Sequence, residues 1–171
     1  MFRTISRQAA LIVGFVALAA SASAQEIPAP TDAPILTVSG AISTANVGDT
    51  LQFDLAALEA LDAVTIETST IWTEGTHTFK GVALKELIDL LGVTKGTILA
   101  TAINDYTVEI PVTDAVAGGA IVAYAMDGEA MSVREKGPLW VVYPYDSNAD
   151  YRSEVIYSRS IWQLDRLEVV E

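Results

Sequence analysis

Cysteine is absent from this chain of 171 residues, and histidine occurs once, as His77. Without a thiol the chain offers no sulfur nucleophile, no thiolate metal ligand and no disulfide, so its apolar core must stabilise the fold. A single histidine also leaves a hydrolytic triad or a zinc site short of the residues it needs. We therefore predict no catalytic residue and no metal site, and we interpret His77 as a strand residue with a structural role.

Positive charge is scarce as well, with ten Lys and Arg residues against 22 Asp and Glu residues and a formal net charge of −12. An acidic chain repels phosphate backbones and anionic membrane surfaces, which argues against nucleic acid as a partner. The glycine-rich loops that bind nucleotide phosphates are also missing. These absences remove nucleotide and nucleic-acid binding from the candidate functions.

The longest apolar run lies at the N-terminus, where residues 9–20 follow Arg3 and Arg7 and precede Ala22-Ser23-Ala24. A charged start, a short apolar run and small residues two positions apart are typical of an export signal. The run is short against the roughly 20 residues of a membrane span, so we predict cleavage after Ala24 rather than anchoring. We therefore expect a signal peptide at residues 1–24 and a periplasmic protein that is not inserted in the membrane after cleavage.

The remaining chain predicts a linker followed by one domain. Residues 25–34 hold three prolines among small and acidic residues, which is typical of an extended linker. From residue 35 onward, β-branched and alternating segments are interleaved irregularly with short amphipathic helices, and strands outnumber helices. The predicted fold class is therefore α+β, a mostly β mixed sheet with short helices, in one domain at residues 35–171.

Residues 134–150 combine a turn at Gly137-Pro138, an apolar run with Trp140 and Tyr143, and a polar loop with Asp146. Glycine tolerates any φ, proline fixes its own, and Pro144 removes a hydrogen-bond donor from the ladder. The pattern predicts a short strand that presents a binding loop. A core strand followed by an ordinary exposed loop fits this segment equally well.

Aromatic and charged side chains supply the remaining candidate chemistry. They are Trp72, Tyr106, Trp140, Tyr143, Tyr145 and Trp162, with Asp105, Asp146, Arg134, Arg152 and Arg159 near them in sequence. Rings of this kind can stack on a flat heterocycle while charged groups bind its edges, although each ring taken singly could instead fill the core. Trp72 and Trp140 are the leading candidates because they border loops.

Several short motifs follow one another in a recognisable order: residues 79–84 (Phe-Lys-Gly-Val-Ala-Leu) before a Leu-Ile helix, Asn104-Asp105-Tyr106, Asp127-Gly128-Glu129, and Gly137-Pro138-Leu139 before a run to Pro144. Over residues 64–170 this order resembles the molybdopterin-binding domain of sulfite-oxidase-type oxidoreductases. The resemblance implies the sulfite-oxidase α+β fold.

The chain departs from that family at two positions. The resemblance places a molybdenum-ligating cysteine where this chain has Ser69 and Thr70, and a hydroxyl is a poor ligand for a soft metal site. It also places an anion-binding arginine where this chain has Trp140, and an aromatic ring favours stacking over anion binding. Ser69 is therefore interpreted as a vestigial metal-ligand position.

With the ending at residues 158–164, these departures make the chain similar to small exported proteins of this fold that bind reduced pterins without molybdenum. The resemblance implies a pterin ligand, no covalently bound cofactor, and as partner the periplasmic domain of a membrane-bound enzyme of cyclic di-GMP turnover. The expected ligand-binding residues are Trp72, Asp105, Tyr106, Arg134, Trp140, Tyr143, Asp146 and Arg152.

Within this set, Asp105 or Asp146 would accept hydrogen bonds from the amino edge of the pterin, because adjacent N–H donors suit a carboxylate. Two alternatives stay open. One is a molybdopterin-dependent oxidoreductase with Ser69 as a metal ligand, and the other is a domain that acts only through protein contacts.

Overall fold

The computed structural model describes residues 27–171, so the predicted signal peptide and its cleavage position lie outside the described residues. Ten strands are seen in this range: β1 (Leu36–Gly40), β2 (Leu51–Phe53), β3 (Ala63–Ser69), β4 (Thr76–Ala83), β5 (Thr97–Ala102), β6 (Thr107–Pro111), β7 (Ile121–Met126), β8 (Glu129–Ala130), β9 (Leu139–Val142) and β10 (Trp162–Val170). The helices are α1 (Leu55–Glu59), α2 (Leu84–Leu90) and α3 (Glu154–Arg159), with 3-10 turns at Val112–Asp114, Val133–Glu135 and Ala149–Tyr151.

All ten strands belong to one sheet, whose main path runs β2-β1-β10-β9-β7-β4-β3. Strand β5 also pairs with β10 and with β6, and β8 pairs with β7. Strands β1 and β10 are parallel, whereas the other pairs, β3 with β4 for example, are antiparallel. A mixed, mostly β sheet with a few short helices confirms the predicted α+β class.

Strand β10 organises the sheet because three different strands pair with it. Its first residues pair with β9, at Trp162 and Leu164, and its later residues lie between β1 and β5. A register shift separates Trp162 from Leu164, and Gln163 between them has a φ of +53°. Such a bulge interrupts the alternation of side chains, so the start of β10 is a place where side chains can be directed out of the sheet.

Helix α2 shows how the local pattern positions the core. Leu84, Leu87 and Ile88 are buried against the sheet, whereas Lys85 and Asp89 form an exposed ion pair of 2.7 Å. The spacing of three and four residues puts the leucines on one helix face, as predicted. Gly92 follows the helix with a φ of +68°, the left-handed conformation in which glycine commonly ends a helix.

Gly81 has a different role, in the contact between β4 and β7. A Cβ atom at this position would collide with the backbone carbonyl of Val122, and the β4–β7 register shifts between Lys80 and Gly81. Only a glycine allows this close approach of two backbones. The glycine of the Phe-Lys-Gly motif is therefore a packing requirement.

Asp54 connects α1 to the segment that precedes the domain. Its Oδ1 accepts a hydrogen bond from Ala57 N at 2.8 Å and caps the helix, a position that aspartate favours. Its Oδ2 accepts from the backbone N–H groups of Thr31 and Asp32 at 2.9 and 3.1 Å, and these bonds lower the pKa of the carboxyl. Residues 31 and 32, in the predicted linker, are thereby held against the domain.

Residues 151–160 contain α3, a short helix that the sequence patterns described above do not indicate. Ser153 caps it by accepting from the backbone N–H of Ile156 at 3.4 Å, and Arg159 lies in its last turn. Within residues 27–171 the helices are all too short to span a bilayer.

Candidate functional site

Five aromatic rings meet at one end of the sheet. Trp72, from the loop at residues 70–75 between β3 and β4, lies edge-on to the other four. Its ring centroid is 5.8 Å from that of Trp140, 6.2 Å from Tyr145, 5.7 Å from Tyr157 and 5.6 Å from Trp162. Edge-to-face pairs at such distances stabilise a defined arrangement of rings. The cluster joins the 70–75 loop to β9, α3 and the bent start of β10.

A cavity of about 340 Å³ opens beside these rings, and we call it the aromatic cavity. It is lined by Trp72, Ala102, Asn104, Tyr106, Tyr157, Ser158, Ser160, Ile161, Trp162 and Gln163. Four of these ten residues are aromatic and none carries a formal charge. Its volume is near the lower end of the range of roughly 300–1,000 Å³ found for small-molecule sites. The aromatic cavity therefore suits one flat ring system with neutral polar edges.

Two amide side chains give the aromatic cavity its polarity. Asn104 accepts from the backbone N–H of Tyr106 through Oδ1 at 3.2 Å, so its NH₂ group is left as a donor. Gln163 donates from Nε2 to Val133 O at 2.7 Å, so its Oε1 is left as an acceptor. Ser160 already bonds to Tyr145 and Ile156 through its hydroxyl. Two lining residues thus each have an amide group that makes no hydrogen bond in the described part of the chain: the NH₂ group of Asn104 and the Oε1 atom of Gln163.

Trp162 is the ring that combines packing with exposure, since 38% of it is accessible. Lys136 Nζ lies 5.0 Å from the centroid of Trp162 and 5.6 Å from that of Trp140. Lys136 is held there by its own backbone, because its carbonyl accepts from Gln163 N at 2.9 Å. A cation on one side of an indole stabilises the position of that ring.

The structure corrects the prediction that Trp140 stacks on a ligand. Trp140 is completely buried, its Nε1 donates to Ser160 O at 3.1 Å, and Phe79 packs edge-on to it at 5.3 Å. All four residues of strand β9 are buried, so its side chains are covered on both faces of the sheet. The other interpretation of this segment, a core strand, is the one that the structure supports.

Tyr143 is likewise a core residue and not a surface that a ligand can reach. Only 1% of it is exposed, and its hydroxyl donates to Asp114 Oδ2 at 2.8 Å. Burial, helped by the nearby Asp114 carboxylate, raises the pKa of Tyr143 far above its usual value. Arg159, in the last turn of α3, also bonds to Asp114, at 3.0 Å. Asp114 thus links the core residue Tyr143 to helix α3.

The polar residues of the predicted site are spread over several places. Tyr106 lines the aromatic cavity, with 59% of its surface exposed. Asp105 does not line it, because its carboxylate bonds to Arg166 Nη2 at 2.7 Å on the surface. Arg134 is exposed in the 3-10 turn at Val133–Glu135 and is not part of the lining. Trp72 and Tyr106 are thus the predicted residues that the structure brings to this cavity.

A smaller hollow of about 190 Å³, which we call the Ser69 cavity, adjoins the first one. It is lined by Ser69, Thr70, Ile71, Tyr145, Asp146, Arg152 and Tyr157. Asp146 accepts from Ser69 N at 2.6 Å and from Ser69 Oγ at 2.9 Å. These bonds from Ser69 lower the pKa of Asp146, and the charge of Arg152 adds to the effect. Ligand-binding roles for Asp146 and Arg152 stay predictions.

Fold and site together define the class: an α+β domain with a mixed sheet and a cavity where loops meet the bent end of a central strand. Residues 35–149 match the oxidoreductase molybdopterin binding domain, and the chain belongs to this family. A search of curated proteins finds no match. The matched range ends before the segment from Tyr157 to Gln163 that lines the aromatic cavity.

The side chains at the expected metal position do not fit molybdenum. Ser69 offers a hydroxyl where a soft metal site needs a thiolate, and that hydroxyl already donates to Asp146. The chain has no cysteine, and in residues 27–171 no three His, Asp or Glu side chains are grouped as metal ligands. Arg152 is the one cation in the lining of either cavity, which leaves little to bind a phosphate.

The predicted ligand-binding set omits eight of the ten lining residues, and four of these eight carry aromatic or amide side chains: Asn104, Tyr157, Trp162 and Gln163. A signal for two of them was present, because Trp162 and Gln163 belong to the terminal motif on which the resemblance rests. Tyr157 could be found only once α3 was known, since the helix brings it to the cavity. Asn104 lies beside Asp105 and Tyr106 in the turn between β5 and β6, and the sequence alone does not show which of these three side chains faces the cavity.

Proposed function

We propose that this protein is an exported pterin-binding protein that works without molybdenum. The observation that carries the proposal is the aromatic cavity, with four aromatic rings and no formal charge in its lining. A pterin is a flat bicyclic heterocycle with polar edges, and ring faces with a few precisely placed polar groups are what binds such a molecule.

In this proposal Trp72, Tyr157 and Trp162 contact the faces of the pterin. Asn104 donates to an acceptor on its amino-oxo edge and Gln163 accepts from an N–H of the same edge. Neutral amides take the role that the sequence assigned to Asp105 or Asp146. A neutral site also agrees with the acidic chain. The net charge of −12 would repel a phosphate group, and a pterin without phosphate avoids this repulsion.

The proposal includes export and signalling. The N-terminal pattern supports export to the periplasm, and the resemblance supports relay to the periplasmic domain of a membrane-bound cyclic di-GMP enzyme. Exposed apolar side chains lie near lining residues in sequence: 42% of Ile103, 59% of Tyr106, which itself lines the cavity, and 55% of Val155 are accessible. These side chains would allow a partner protein to contact the site and its ligand together.

The experiment is a calorimetric titration of oxidised and reduced pterin into ligand-free protein, with tryptophan emission followed in parallel. We expect saturable binding at one site and quenching of emission, because a pterin beside Trp72 and Trp162 contacts two of the three indoles. Asp49→Ala, in a turn outside both cavity linings, is the matched control and should bind equally well.

Metal analysis of protein isolated from its native compartment separates the alternatives. Stoichiometric molybdenum would contradict the proposal and support a molybdopterin-dependent oxidoreductase. If no pterin gives a heat of binding or quenches the tryptophan emission, the result would support a domain that acts through protein contacts alone.

A further inference from the structure

His77 occupies an unusual position at the start of β4, because both of its ring nitrogens face hydrogen-bond acceptors. Nδ1 lies 2.6 Å from Asp127 Oδ2 in the β7–β8 turn, and Nε2 lies 3.0 Å from the backbone carbonyl of Glu74. The side chain is 21% exposed and is the sole histidine of the chain. Its ring therefore bridges the loop at residues 70–75 to a hairpin on the other side of β4.

The chemistry of these two partners determines which form of the ring makes both bonds. A backbone carbonyl accepts and cannot donate, so Nε2 must carry a proton to bond Glu74 O. A carboxylate also only accepts, so Nδ1 must carry a proton to bond Asp127. A neutral imidazole has one N–H and can make only one of the two bonds. The bridge is complete only when His77 is an imidazolium cation.

The groups around the ring leave Asp127 as its main charged partner. Across β3 the opposing residue is Thr68, which does not titrate, and on β4 the nearest ring is Phe79, 6.3 Å away. The loop contributes the carboxylate of Glu74, which is exposed, and β8 contributes the exposed Glu129. Asp127 itself is fixed by a second bond, from Thr78 N to its Oδ1 at 2.9 Å.

The loop that His77 holds is the one that carries Trp72 into the aromatic cavity. Inside the loop, Trp72 N donates to Thr70 Oγ1 at 3.0 Å, and the hydroxyls of Thr70 and Thr73 are 2.8 Å apart. Its first end is tied to Asp146 through Ser69, and its second end is tied to His77 through Glu74 O. Loss of the second tie would free the loop on the side of Glu74 and loosen the position of Trp72.

We propose that His77 is a positioning residue whose doubly protonated ring orders the 70–75 loop and thereby tightens ligand binding in the aromatic cavity. The ordering of the loop needs no ligand, whereas its effect on affinity rests on the function proposed above. The site would then bind its ligand more tightly in acid than in alkaline surroundings.

The direction of the pH effect follows from the charge of the bridge. The hydrogen bond to Asp127 raises the pKa of His77 above the ordinary value of 6.5, more than partial burial lowers it. A group with a raised folded-state pKa stabilises the fold fully below its unfolded value and loses this contribution as the pH rises through the folded value. The same bond lowers the pKa of Asp127, so the bridge stays intact into the acid range. The loop should therefore loosen on the alkaline side of 6.5.

The test titrates unsubstituted pterin into the wild type, His77→Gln and Glu74→Gln at a series of pH values. Wild-type affinity should fall by about three- to tenfold between about pH 6 and about pH 9, within the tenfold per pH unit that one coupled proton allows. His77→Gln should show no such fall beyond the titration of the pterin itself, which all three proteins share. Glu74→Gln is the matched control, since it keeps the backbone carbonyl and should keep the wild-type profile.

Nuclear magnetic resonance of the single histidine gives a second readout that needs no variant to fold. Because linkage is reciprocal, bound pterin should raise the pKa of His77. Equal pH profiles for the wild type and His77→Gln, or a His77 titration that pterin leaves unchanged, would overturn the proposal.

Hydrogen exchange of residues 70–75 in ligand-free protein separates this idea from the proposed function. In the wild type the protection of this loop should drop as the pH rises, after correction for intrinsic exchange, and in His77→Gln it should be low throughout. If pterin fails to bind at every pH, the proposed function is wrong. The role of His77 is then tested only by the hydrogen-exchange protection of residues 70–75. Protection that is equal in both proteins would then refute the role of His77.

Discussion

The aromatic cavity and the Ser69 cavity share Tyr157 as a wall, yet they differ in what their polar groups do. In the Ser69 cavity the carboxylate of Asp146 is engaged by both the backbone and the hydroxyl of Ser69, so its polar atoms hold two loops together. In the aromatic cavity the amides of Asn104 and Gln163 each keep one hydrogen-bonding group for a ligand. From this difference we expect a ligand to bind in the aromatic cavity rather than in the Ser69 cavity.

The difference shows that a member of the molybdopterin-binding family can lack a thiolate ligand and still have a cavity large enough for a small molecule. At Ser69, where the resemblance implies a thiolate, the side chain is a hydroxyl that donates to the carboxylate of Asp146. A few residues away, three of the four aromatic lining residues, Trp72, Tyr157 and Trp162, come from a loop, a helix and a bulged strand end, none of which needs a metal to assemble. The lining of the aromatic cavity therefore does not include the side chains at the expected metal position.

Trp140→Ala should have the largest effect, and the effect should be on stability. Truncation of a fully buried tryptophan removes packing and leaves a cavity, which typically costs about 3–5 kcal/mol. The variant also loses the bond from Nε1 to Ser160 O. Urea denaturation followed by circular dichroism measures the change in the free energy of unfolding. A stable variant that has lost pterin binding would instead extend the aromatic cavity to β9.

Trp162→Ala should lower the affinity for pterin while the fold is retained, in contrast to Trp140→Ala, which should lower stability. The ring is 38% exposed in the free protein, and burial of that area by a ligand face contributes roughly 2 kcal/mol, or about 30-fold in affinity. Calorimetric titration of pterin into the variant checks this, and Trp162→Phe should recover most of the loss. Unchanged affinity in folded Trp162→Ala would remove the ring from the site.

Much of the fold follows from the sequence because local patterns and global structure agree. The leucine spacing of α2, the cap at Asp54 and the glycine that ends α2 each predict what the structure has. Helix α3 is the exception. It has only six residues and none of them is buried, so its sequence shows no clear helical spacing of apolar residues. Its Ser153 cap was the one local sign of a helix start.

The candidate site was less predictable, and Trp140 and Trp162 show why. The two residues are paired across β9 and β10 and their ring centroids lie 6.4 Å apart, yet one is buried and the other is half-exposed. Proximity to a glycine-proline turn suggested a loop edge for Trp140, but other residues, among them Phe79 and Trp72, pack on its ring and bury it. The bulge at Gln163, which exposes Trp162, depends on pairing with three strands and cannot be derived from one segment.

Asp146→Ala should have the smallest effect of the three and is the change that most directly separates the two cavities. The substitution removes two hydrogen bonds to Ser69 at an exposed position, so we expect a loss of about 0.5 kcal/mol in the free energy of unfolding. The lowered pKa of Asp146 means that its contribution is present above 3.8 and is lost as the pH falls through the folded-state value. The variant should therefore lose less stability in acid than the wild type does.

Affinity for pterin in Asp146→Ala should stay within about twofold of the wild type, because no atom of Asp146 lines the aromatic cavity. Ser69→Ala is the matched control, since it removes one of the two hydrogen bonds and leaves the carboxylate in place. Thermal unfolding between about pH 3 and about pH 7 measures the stability of both variants, and calorimetry measures their affinity. A tenfold loss of affinity in folded Asp146→Ala, with Ser69→Ala unaffected, would mean that the carboxylate itself binds the ligand. The comparison would then be reversed, because the Ser69 cavity would be the binding site and the aromatic cavity its hydrophobic neighbour.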